Sequence, residues 1–140
     1  MVVVSGTLLL QSFVSISFDD KIKKEFQSSF PEADSVHWRE TDNGSDVQFI
    51  SNSIHYHIWY APDGTATKVY RYAQVDFLSP YLKLALKKKF PTLSLYGMEE
   101  ICTDEDIRYQ LVLEDNSNWY QIHGDAYGHF EVDKHYKKSK

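Results

Sequence analysis

Two short segments carry side chains able to do chemistry at a regular spacing. In Ile54-His55-Tyr56-His57-Ile58-Trp59-Tyr60 the residues His55, His57 and Trp59 alternate with Ile and Tyr, and in Asn118 to His123 the residues Trp119, Gln121 and His123 alternate with Tyr120 and Ile122. A period of two places each set on one face of a β-strand. Ile and Tyr suit packing beneath helices, which leaves two Trp and three His on the uncovered side, expected near the middle of a joined sheet. Indole and imidazole rings together offer rigid contact area with polar handles, so one reading is a surface for a protein, peptide or glycan. The other is that these rings pack only on one another as cross-strand pairs. His55 and His57 point the same way and could hold Zn or Cu if a third ligand joined them; His123 is the one visible partner. Against that stands a solvated or aromatic-packed histidine pair.

Other chemistry finds less support. Asp42, Asp46, Asp104, Glu105 and Asp106 gather where turns are expected, but without the spacing of a calcium loop, and read as solvated hairpin charges. No Gly-rich phosphate loop, Gly-x-Ser-x-Gly elbow or supported Cys and His pair occurs, so no catalytic residue is assigned and a non-enzymatic protein without a cofactor is expected. His37, His129 and His135 lack ligand spacing and read as ordinary strand residues. Cys102, the one cysteine, can form no internal disulfide and reads as an inert buried thiol. With 42% hydrophobic residues in 140, the chain can bury a core. A net charge of -5 gives no general attraction to phosphate backbones, which argues against nucleic acid, although Lys87, Lys88 and Lys89 form a local basic run.

The elements that must position the two segments are legible from punctuation. Residues 1–17 hold no charge and include the apolar runs Val2 to Val4 and Leu8 to Leu10, with small residues at Ser15 and Ser17. They read as a signal peptide or its remnant, with an ordinary first strand or an anchor as alternatives; the mature chain would begin near Phe18 and keep no membrane association. Asp19 is the expected N-cap of a helix whose Ile22, Phe26 and Phe30 form one stripe and which Pro31 ends. The design returns with Ser79 as cap, Pro80 in the first turn, a stripe of Tyr81, Leu82, Ala85, Leu86 and Phe90, and Pro91 as the stop. Phe30-Pro31 matches Phe90-Pro91 at an offset of 60, and Pro62-Asp63-Gly64 matches Ala126-Tyr127-Gly128 at 64. Four strand-type segments follow each helix, near 34–40, 46–51, 54–60 and 66–73, then 95–102, 107–113, 118–124 and 129–136. Their connections are short turns, Asn52-Ser53 among them, so the strands must be antiparallel. The expected organisation is therefore a signal segment over 1–17 and two helix-plus-four-strand repeats over 18–78 and 79–140, an α+β tandem repeat.

With a lysine-rich helix ending in Phe-Pro, Trp38 soon after it, an aromatic third strand and Tyr60-Ala61-Pro62-Asp63-Gly64, residues 18 to 138 resemble the PepSY-like domains of Gram-negative bacteria. Met98 stands where the second repeat would carry the Trp, and Gly124 to Gly128 is a looser version of the turn. The resemblance implies a beta-lactamase-inhibitor-protein-like fold: both repeats in one curved antiparallel sheet, helices on one face, the concave face open. A single cysteine cannot supply the disulfides of the secreted beta-lactamase inhibitors. Members of the family are mostly exported proteins of unassigned function. The expectation is thus a periplasmic or secreted module that binds or inhibits a protein or peptide on its concave aromatic face through His55, His57, Trp59, Trp119, Gln121 and His123. The alternative is a structural or sensory envelope domain with a metal on His55 and His57.

Overall fold

The computed structural model describes residues 18–140 apart from residue 74. The expected signal segment over 1–17 lies outside the described residues. Helix α1 (Phe18–Ser29) precedes strands β1 (Asp34–Thr41), β2 (Gly44–Ser51), β3 (Ile54–Tyr60) and β4 (Ala66–Ala73). A 3-10 turn over Val75–Phe77 leads to helix α2 (Pro80–Lys89) and strands β5 (Ser94–Thr103), β6 (Ile107–Glu114), β7 (Asn118–Asp125) and β8 (Phe130–Lys137). All eight strands form a single antiparallel sheet in the order β1-β2-β3-β4-β5-β6-β7-β8, each paired with its neighbour along the chain. The expected α+β architecture is the observed one.

Local chemistry explains the boundaries. Ser79 Oγ accepts the Leu82 amide at 3.3 Å and Pro80 occupies the first helical position of α2, where a missing N–H costs nothing. Asp19, the expected cap of α1, lies within the bounds of that helix. Asn52 and Ser53 both take positive φ, 50° and 64°, which matches the right-handed twist of the β2–β3 strands and closes a two-residue hairpin.

Two cores lie under the helices. Phe26 of α1 packs edge-on against Phe49 and Trp38, at 4.8 Å and 5.3 Å between ring centres, over Val47 and Ile58. Leu82 and Leu86 of α2 pack with Met98, Leu111, Leu113, Ile122 and Phe130. Gly124 is required by this second core: a Cβ there would lie 2.2 Å from the Phe130 ring, so only glycine lets that ring lie flat across β7. Val69 belongs to the first core and pairs with Cys102, which shares its face with Met98 of the second, so both helices cover the same side of the sheet. One residue of the expected α2 stripe is misplaced: Tyr81 is 64% exposed and points away from the core. Cys102 is half-buried, its Sγ 3.7 Å from Glu100 Oε1, and burial followed by the Glu100 charge pushes the thiol above its ordinary value.

Candidate binding face

Because Tyr56, Ile58 and Tyr60 pack under α1, the intervening His55, His57 and Trp59 stand on the face without helices. Because Ile122 and Tyr120 pack under α2, so do Trp119, Gln121 and His123. All six candidate residues therefore share one side of the sheet. They do not form the single central patch expected of them. Strands β3 and β7 are separated by three others, and Trp59 lies at the end of β3 while Trp119 lies at the start of β7. At ~4.8 Å per strand the lateral separation alone is roughly 19 Å.

Each indole is set in the same way. Trp59 meets Tyr70 edge-on at 4.7 Å, and Lys68 Nζ lies 4.5 Å from the Trp59 ring centre and 5.0 Å from that of Tyr70. Trp119 meets Tyr96 edge-on at 4.7 Å beneath Lys138 Nζ at 4.3 Å. Tyr96 reaches Trp119 because the β5–β6 register slips between Leu95 and Gly97, leaving it as the extra residue of a bulge. Two Trp–Tyr–Lys trios thus sit near opposite corners of one face, with Tyr72, Ile101 and Gln110 on the strands between. Two shallow depressions lie along this face, about 620 Å³ around His37, Gln48 and His55 and about 420 Å³ around Ile101, Arg108 and Gln110. Burial, followed by the neighbouring Glu99 charge, raises the Tyr72 phenol above its ordinary value and keeps it a donor.

Beneath Trp59 lies a feature that spacing did not reveal. Asp46 is not a solvated turn residue but part of β2, 1% exposed on the helix-free face. It accepts from Arg39 Nε and NH2 at 2.9 Å and 2.8 Å, and its other oxygen lies 2.9 Å from His57 Nε2. Trp59 is its cross-strand partner, and the His57 ring stacks on that indole at 3.5 Å. Burial pushes the Asp46 carboxyl up, but the bonds from Arg39 and His57 outweigh it and hold the group below the usual carboxylate range. The network fixes the rotamers of His57 and Trp59 from below, which pre-orders the rings for contact. A hint was present in Asp46 itself, two residues after Gly44 and in step with Gln48 on the strand's polar face.

The metal reading meets a different geometry. His57 is engaged by Asp46, His55 is exposed, and His123, the expected third ligand, is four strands away with Nδ1 2.6 Å from Asp133 Oδ1. Among the described residues no group of three or more His, Cys, Asp or Glu converges to hold a metal ion. Of the remaining histidines, His37 is on β1, His135 stacks on Tyr120 at 6.0 Å, and His129 belongs to the β7–β8 turn, where it bonds Asp125 at 2.8 Å. Gln121 is exposed between Val112 and Lys134 with no side-chain bond among the described residues.

No protein-family profile matches the chain, and no curated protein matches it. Solved structures do. It is similar to a protein of Bacteroides eggerthii assigned provisionally to the periplasm, with TM-score 0.61 and 15% identity over 84% of this chain and 87% of the other. A DUF2874 family protein of Bacteroides ovatus aligns with TM-score 0.60 and 15% identity over 83% and 84%. A BLIP-like protein of Bacteroides fragilis aligns with TM-score 0.60 and 10% identity over 84% and 92%. The likeness spans nearly the whole of each molecule and establishes the fold as BLIP-like.

Proposed function

We propose that this chain is an exported, non-enzymatic protein that acts in the periplasm or outside the cell by capturing a protein or peptide on its helix-free sheet face. The observation that carries this reading is the pair of Trp–Tyr–Lys trios turned to the same side. Trp and Tyr lose little rotamer freedom on contact and bury much area, the properties of interface anchors; Lys68 over Trp59 adds a charged donor at the contact, while Lys138 over Trp119 is paired with Glu114. Their separation fits an extended segment or two loops of a folded partner better than a small ligand. His57 has Asp46 as its only bonded partner among the described residues, with no nucleophile beside it, which gives acid–base chemistry nothing to act through. Export is supported by the apolar residues 1–17 and by the provisional periplasmic assignment of the Bacteroides eggerthii neighbour.

Affinity capture with the full chain from envelope extracts, followed by a binding isotherm for the captured protein, tests the reading. Trp59→Ala and Trp119→Ala are each expected to weaken binding by about 2 kcal/mol or more with the chain still folded. A partner that binds both variants as tightly as the parent, or one that no variant of the helix-free face affects, would sink it.

A further inference from the structure

A second surface, on the opposite side of the molecule from the proposed binding face, carries an argument of its own. Tyr81, Leu84 and Tyr127 are 64%, 72% and 76% exposed and line a single groove of about 660 Å³ between α2 and the β7–β8 turn, with Ala85 and Gly128 as its floor and Lys88 at its rim. The groove is built, not incidental. Tyr81 donates its hydroxyl to the Tyr127 carbonyl at 3.1 Å, which ties helix to turn. Gly128 has φ 85°, and a Cβ there would lie 2.9 Å from the Ala85 methyl, so the turn sits as close to the helix as a glycine permits.

The first half of the chain provides an internal control. Counted back from the Phe-Pro that ends each helix, Tyr81, Leu84 and Ala85 correspond to Lys21, Lys24 and Glu25, a solvated face on which Lys21 and Glu25 pair at 4.0 Å. Tyr127 corresponds to Asp63. Solvent exposure in this fold is therefore met by charged residues in one half, and in the other half the same positions are aromatic or aliphatic. That exchange exposes apolar area with no return unless something covers it.

Charge selects the occupant. Helix α2 carries Lys83, Lys87, Lys88 and Lys89 and no acidic residue, and none of the four makes an ion pair among the described residues, in a chain of net charge -5. Lys88 and Lys89 line the groove; Lys89 donates to the Phe130 carbonyl, as Lys83 and Lys87 do to those of Asp76 and Pro91, and Lys88 makes no side-chain bond among the described residues. Two unpaired cations beside a concave apolar slot, Lys88 unbonded and Lys89 tethered to a neutral carbonyl, match a peptide with a bulky apolar residue next to one or two carboxylates. It is a poorer match for an anionic bilayer, which calls for an apolar stripe confined to the outer face, whereas α2 commits Leu82 and Leu86 to the core and what it exposes is a concave slot shared with the β7–β8 turn. We infer that the α2 groove docks an acidic peptide segment of a partner protein through an apolar anchor between Tyr81, Leu84 and Tyr127 and a carboxylate on Lys88.

The test is amide NMR of the full chain titrated with a panel of short peptides that pair Leu, Phe or Trp with two Glu in each relative order, beside the same panel with Lys in place of Glu. The acidic peptides are expected to move the resonances of Tyr81, Leu84, Tyr127 and Gly128. Leu84→Asp and Lys88→Glu, both at exposed positions, should each weaken that binding about tenfold or more, while Lys68→Glu on the opposite face leaves it unchanged. The inference is overturned if no acidic peptide shifts these resonances or if the Lys panel binds equally well. It is also overturned if vesicles with about 30 mol% phosphatidylglycerol bind the chain in a Leu84-dependent way and the peptides do not.

Discussion

Asp46 is the residue on which the most depends. A carboxylate 1% exposed is tolerated because three bonds from Arg39 and His57 replace its lost water, and an amide in its place leaves Arg39 and His57 one neutral acceptor between them. Asp46→Asn is expected to cost about 1–3 kcal/mol by urea denaturation at pH 7. The sign with pH follows from the direction of the shift. The folded-state value lies below the ordinary 3.8, so the contribution is fully present above that value and is lost as pH falls through the folded-state one. The gap between parent and Asp46→Asn in urea midpoint should therefore narrow as pH drops below about 3.8, and a gap unchanged down to pH 2 would contradict the arrangement. This residue also marks where sequence reading stopped. Aspartates near a turn are usually wet, and only the cross-strand partners, Arg39 from seven residues before and His57 from eleven after, make Asp46 a core group of the exposed face. Neither partner is visible from local spacing.

At the level of elements, punctuation carried well and facing carried less well. Phe30-Pro31, Phe90-Pro91, the Ser79 cap and the Asn52-Ser53 hairpin each act through a local steric or hydrogen-bond rule, so their consequences could be read in order along the chain. Ser79→Ala removes the acceptor for the Leu82 amide and is expected to cost about 1 kcal/mol, seen as a lower thermal midpoint, with Ser79→Asp retaining most of the stability. An equal loss for both substitutions would mean that the cap bond is not what holds the start of α2. Period-two alternation likewise put His55, His57 and Trp59 on one face and Trp119, Gln121 and His123 on the same one. The distance between those sets was not legible, because it depends on β4, β5 and β6 lying between them in the sheet. Tyr81 was misread for a related reason: a helical stripe is wider than the contact it makes, and the neighbouring Leu82 and Leu86 already fill the space over Met98 and Leu111.

Across the whole molecule, two separate cores are joined by the β4–β5 ladder and the Arg71–Glu100 pair at 2.9 Å that crosses it. Each core has its own helix, so their stabilities should be partly separable. Leu111→Ala, which empties a site 2% exposed in the second core, is expected to cost about 2–5 kcal/mol. In native-state hydrogen exchange it should speed β5 to β8 well beyond β1 to β4, and uniform acceleration of all eight strands would show a single cooperative unit instead. The order of the sheet has a further consequence. Since each strand bonds only to those just before and after it along the chain, a polypeptide emerging from a pore amino end first can zip every hairpin as it arrives, waiting on no later segment. Under the export proposed above, that keeps the interval with naked strand edges short.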